Sequence, residues 1–139
     1  MNRADFQRLA NLRVKEAKVL LDNGCYEGAY YLAGYAVECA LKACIAKQTR
    51  EYDFPPDAET VRNSIYTHDL TRLLRQAGLA GTLDTKSQSD AVFRNNWGVL
   101  RDWSEQSRYN SSVTQLDAET LYSAIVGRNG ALTWLKTYW

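Results

Sequence analysis

Apolar residues recur along this chain at spacings of three and four, the period of one helical face, and no stretch alternates with the period of two that a half-buried strand needs. The first such pattern runs from about Asp5 to Asp22 and sets Phe6, Leu9, Ala10, Val14, Ala17, Leu20 and Leu21 on one stripe. Asn23-Gly24 supplies its stop, since glycine enters the left-handed turn that ends many helices. Arg13 falls inside the stripe and needs either a carboxylate partner or a path for its head group to water. The second pattern, Tyr26 to Lys47, is apolar over most of its circumference. Only Tyr31, Tyr35, Glu38 and Lys42 form a narrow polar strip. A helix of that kind is buried from several sides. It is expected either at the centre of a bundle or at the contact face of a dimer.

Beyond it, Thr49 to Tyr66, with Pro55-Pro56, reads as a loop with a short helical turn. Thr67-His68-Asp69 offers the cap of a short third helix that buries Leu70, Leu73 and Leu74 and breaks at Gly78 and Gly81. A fourth helix is expected from about Ser87 to Ser104, packing Val92, Phe93, Val99, Leu100 and Trp103. A polar turn follows around Ser107 to Val113. The last helix starts near Asp117, with Leu121, Tyr122, Ile125, Leu132 and Leu135 inward and Gly127 and Gly130 weakening its middle. The predicted architecture is all-α: one domain over residues 1–139, an up-and-down bundle of four long helices plus a short one.

Composition narrows the function classes. With 17 basic and 16 acidic side chains the net charge is +1, which argues against binding nucleic acid or membrane by bulk charge while leaving a local basic site open. Cys25, Cys39 and Cys44 are few, odd in number and poorly placed for bridging, so free thiols and a cytoplasmic location are expected. No long apolar run or leader-like pattern opens the chain. A single histidine and three scattered cysteines make a dedicated metal site unexpected, and no residue pattern calls for a cofactor. Gly-rich phosphate loops, GxSxG, HExxH and paired CxxC motifs are absent from the sequence.

Two groups of residues could carry chemistry. Arg94, Arg101 and Arg108 stand seven residues apart, so a continuous helix would set each within about 20° of the next along a ridge of about 20 Å. Guanidinium groups so arranged suit phosphates, and the neighbouring Trp97 and Tyr109 could stack bases. The blander alternative solvates Arg94 and pairs Arg101 with a core carboxylate such as Glu38. Glu38 and Lys42 could form an i,i+4 surface pair. However, a carboxylate on so apolar a helix is more plausibly buried and neutralised by Arg13 or Arg101, with Arg13–Glu38 as a structural ion pair. His68, beside Asp69, is first a capping or packing residue and second a ligand contact.

The run from Glu27 to Ala43, EGAYYLAGYAVECALKA, resembles the second helix of HEPN domains (higher eukaryotes and prokaryotes nucleotide-binding). Arg13, Ala17, Leu20 and Leu21 fit the preceding helix of that family, and Thr67-His68-Asp69-Leu70 resembles the opening of its next one. The resemblance implies an all-α bundle, homodimerisation, nucleotide binding and, often, a minimal nucleotidyltransferase encoded nearby in a toxin–antitoxin-like pair. Many members are metal-independent ribonucleases using an Arg-x4-6-His motif, in which the RNA's own 2′-hydroxyl attacks. Arg101-Asp102 falls where that motif's arginine and polar neighbour stand, but no histidine follows it; Arg108 takes the farthest histidine position. An arginine stays protonated and is a poor general base. The chain therefore resembles a branch without the ribonuclease motif. The leading expectation is a non-catalytic module binding a nucleotide, RNA phosphate or a nucleotidyltransferase partner through Arg94, Arg101, Arg108, Trp97 and Tyr109. Two alternatives stay open: a ribonuclease with an altered site in Arg101, Glu105, Arg108 and His68, and a purely structural interaction module.

Overall fold

The computed structural model describes residues 1–51 and 66–139. Helix α1 (Arg3–Asp22) begins at a capping box, in which the Asn2 side chain accepts from the Asp5 amide and Asp5 accepts in return. It ends at Asn23, and Gly24, at φ 75°, turns the chain into α2 (Tyr26–Glu51). So short a link folds the two long helices back on each other, and α1 packs mainly on α2.

Helix α2 is the centre of the domain. Besides α1 it touches α3 (Leu70–Gln76), α6 (Gln115–Val126), α7 (Ala131–Leu135) and the 3-10 turn Glu105–Tyr109. Every residue from Ala36 to Cys44 is buried as a result. The polar strip expected on this helix is thus half covered, because Glu38 and Lys42 are interior residues. Burial also raises the Cys39 thiol to about 11 and the Cys44 thiol to about 12, as expected of inert core sulfurs. Around α2 the core is filled by Leu73, Phe93, Leu100, Leu121, Ile125 and Leu135. Trp134 packs between Phe93 and Trp97 at centroid distances of 5.2 and 5.8 Å.

The all-α bundle is as expected, but its later helices are more broken than the periodicity implies. The loop expected at Thr49–Tyr66 is helical as far as Glu51, and its Pro55-Pro56 segment lies outside the described residues. The third helix starts where expected, with the Asp69 carboxylate accepting from the Arg72 amide. The expected fourth helix is shorter, α5 (Ala91–Arg101), and an additional helix, α4 (Ala80–Ser89), precedes it, so Gly81 lies inside a helix and not in a break. Asp90 separates them because its side chain caps α5, accepting from the Phe93 amide at 2.9 Å. Val92, expected inward, is exposed.

The last expected helix is split at Gly127–Gly130 into α6 and α7. Helix α6 opens on a second capping box, with Thr114 and Asp117 exchanging bonds of 3.1 and 3.0 Å. Replacing Thr114 by Ala should cost about 1 kcal/mol in urea unfolding. A change within about 0.2 kcal/mol would show that the box does not anchor α6.

Candidate functional site

The polar residues of the domain converge where α2, the cap of α3, the end of α5 and the 3-10 turn meet. Glu38 is 0% exposed on α2, and its Oε1 receives two groups. Lys42 Nζ, one turn along the same helix, donates at 2.8 Å, and His68 Nδ1 approaches at 2.9 Å. A carboxylate oxygen only accepts, so Nδ1 carries the proton in this contact and the ring is oriented by it. The other ring nitrogen, Nε2, lies 3.6 Å from Glu105 Oε2, and Glu105 Oε1 lies 3.4 Å from Arg108 NH2. Lys42, Glu38, His68, Glu105 and Arg108 thus form a line that runs from the core out to the surface. His68 is 43% exposed at its side chain, so the line opens to solvent at this point.

That opening is a cleft of about 370 Å3. Its apolar floor is formed by Leu70, Trp97, Leu100 and Trp103, and its polar rim by His68, Asp69, Thr71, Arg101, Ser104, Glu105 and Gln106. Trp103 is held against α2 at Gly34, where a side chain would overlap the indole, and it stacks on Tyr31 at 6.2 Å. This packing sets the start of the 3-10 turn and hence the placement of Glu105. The volume falls in the range of small-ligand sites, roughly 300–1,000 Å3.

The structure sorts the residues singled out from the sequence. Arg101 lines the cleft, is exposed, and pairs with no described carboxylate. It therefore does not neutralise Glu38. The Arg13–Glu38 pair is not formed either: Arg13 pairs with Glu16 at 2.7 Å on its own helix and lies over the Tyr35 ring, while Glu38 is taken by Lys42 and His68. The continuous ridge of three arginines is absent because α5 ends at Arg101 and Asp102–Ser104 separate it from the 3-10 turn. Arg94 is exposed, donates to the Ser87 carbonyl at 3.2 Å, and does not line the cleft. Trp97 reaches the cleft only as floor, being 5% exposed, so it is not a stacking platform. Arg108 enters through Glu105, and its guanidinium sits 4.7 Å over the ring of Tyr109, which is exposed.

Sequence reasoning gave no role in the cleft to Ser104 or Gln106 and did not join His68 to Glu38, 30 residues away. The one signal for the last was a glutamate on an otherwise apolar helix. Among the described residues, no group of three or more His, Cys, Asp or Glu side chains could hold a metal ion, and no helix is long and apolar enough to cross a membrane.

This bundle belongs to a known class. The HEPN domain model matches residues 4–125, and the chain is a member of the HEPN family of nucleotide-binding and ribonuclease-type modules. No curated protein and no solved structure matched it significantly. One stretch of the sequence does have the spacing of the family's Arg-x4-6-His motif: five residues separate Arg62 from His68. Arg62 lies outside the described residues.

Because Arg101 is exposed and pairs with no carboxylate among the described residues, Arg101→Ala should change stability by well under 1 kcal/mol in a denaturant melt. A loss of about 3 kcal/mol or more would instead mark it as a partner of a buried charge.

Proposed function

We propose that this chain is a non-catalytic HEPN module that holds the phosphate of a nucleotide or of RNA in the cleft described above. One observation carries the reading: Arg101 stands at the rim of a walled cleft with its guanidinium committed to no described carboxylate. A free guanidinium matches phosphate oxygens with two parallel hydrogen bonds. Arg108, seven residues beyond Arg101, adds charge but cannot take a proton. The module works as a homodimer and pairs with a minimal nucleotidyltransferase in a toxin–antitoxin-like system; these two parts rest on the family resemblance.

The test is equilibrium binding of a labelled single-stranded RNA at several salt concentrations. Wild type should bind with an affinity that falls as salt rises, and Arg101→Ala should bind at least about tenfold more weakly while melting like wild type. Equal binding by the two proteins would sink the reading.

A second reading, a ribonuclease with an altered site, is favoured by His68. Oriented by Glu38, it presents Nε2 to the cleft beside Glu105, as a general base must be presented. Incubating the same RNA with wild type in EDTA separates the two, since strand cleavage lost in His68→Ala would establish the second.

A further inference from the structure

A site for phosphate does not by itself explain a carboxylate in its wall. Glu105 lines the cleft, with Oε2 3.6 Å from His68 Nε2 and Oε1 3.4 Å from Arg108 NH2. Both separations exceed the roughly 2.7–2.9 Å of a formed charge-assisted N–H···O bond, so each oxygen keeps room to accept from a ligand. His68 does not swing over to close the gap, because its Nδ1 is held by Glu38, which is buried and itself held by Lys42. Glu105 therefore stands as an oriented pair of acceptors between His68 and Arg108. An approaching phosphate is repelled by it, and only a ligand group that donates hydrogen bonds gains from it.

We propose that Glu105 is a specificity-determining residue that accepts hydrogen bonds from the neighbouring 2′- and 3′-hydroxyls of a ribose, while Arg101 holds the phosphate. This rests on the phosphate reading of the cleft. A vicinal diol offers two O–H donors to the two carboxylate oxygens, and a 2′-deoxyribose offers one. The 1-imino and 2-amino groups of guanine form a similar donor pair, so the probes must separate sugar from base.

The experiment measures dissociation constants of 5′-AMP, 5′-dAMP and 5′-dGMP for wild type and for Glu105→Gln, which keeps the shape of the side chain and removes its charge. Each preference is a ratio within one protein, so partial unfolding does not produce or erase it. The expected result is that wild type prefers AMP over dAMP by about tenfold, the effect of one hydrogen bond to a charged acceptor, and that the variant loses most of this preference. Equal affinity of wild type for AMP and dAMP, or an unchanged ratio in the variant, would overturn the proposal. So would a dGMP preference removed by the substitution, which would assign the carboxylate to the base. Tighter binding of all three ligands with the ratio intact would overturn it too, leaving Glu105 as a competing anion. If none of the three binds wild type, this inference falls, while the phosphate reading stands or falls on the RNA titration.

Discussion

Gly34→Ala should destabilise the protein by about 3 kcal/mol, the upper end of the cost of overpacking a core. A methyl built at Gly34 would stand 2.1 Å from Cε2 and 2.3 Å from Nε1 of Trp103, distances that no pair of non-bonded heavy atoms tolerates. Helix α2 cannot yield, since it is covered by α1, α3, α6 and α7, so the indole must move. Trp103 is buried and lies one residue before Ser104, so its displacement also shifts the turn that carries Glu105. Urea denaturation measures the loss. Gly98→Ala is the matched control: a methyl there meets nothing within 4 Å, and helix propensity alone should stabilise the protein by about 0.5–1 kcal/mol. If Gly34→Ala lay within 1 kcal/mol of wild type, the indole would not be seated on α2 as described.

Glu38→Met should cost about 3–5 kcal/mol, because it leaves the Lys42 ammonium buried without its carboxylate. His68 loses the same partner but is exposed enough to turn to water. The double substitution Glu38→Met, Lys42→Met removes both charges from the interior and should recover most of the loss. Two thioether chains fill similar volume, and neither needs a hydrogen bond. A double-mutant cycle then gives a coupling of at least about 2 kcal/mol. Additive losses, or a single substitution costing under 1 kcal/mol, would mean that the pair is solvated. In the double variant His68 is no longer oriented, so ligand binding should stay weakened although stability returns.

The central helix was legible in the sequence because its composition leaves no ambiguity. A segment apolar over most of its circumference must be covered from several sides, and the residues from Glu27 to Ala43 that carry that pattern also carry the family resemblance. The helix breaks were less legible. From Asp84 to Asp90 no apolar residue marks a helical face, and the boundary at Asp90 is decided by a carboxylate that caps the next helix and accepts from the Asn129 side chain as well.

The site was partly legible for a different reason. Arg101, Glu105 and Arg108 were visible as residue types suited to phosphate, but which of them face a cleft depends on where α5 stops. Arg94 and Trp97 share its helix, but Arg94 falls outside the cleft and Trp97 reaches it only as floor. The pairing of Glu38 was misassigned because i,i+4 spacing to Lys42 reads as a surface contact until something covers it. The cover comes from His68 and the 3-10 turn, which lie 30 and more residues further along the chain. Arg13 was expected to reach across to α2. A carboxylate three residues away on its own helix, Glu16, was nearer and needed no burial of charge.

The most direct test of the phosphate cleft is a titration of isotopically labelled protein with 5′-AMP, following backbone amide and tryptophan indole signals. The Trp103 indole N–H is buried and has no acceptor among the described residues, so its resonance should report occupancy of the cleft beside it. Saturable shifts centred on His68, Arg101, Trp103, Glu105 and Gln106, absent in Arg101→Ala, are the predicted result. No saturable shift, or shifts centred on Arg13 and Tyr35 with the cleft silent, would contradict it.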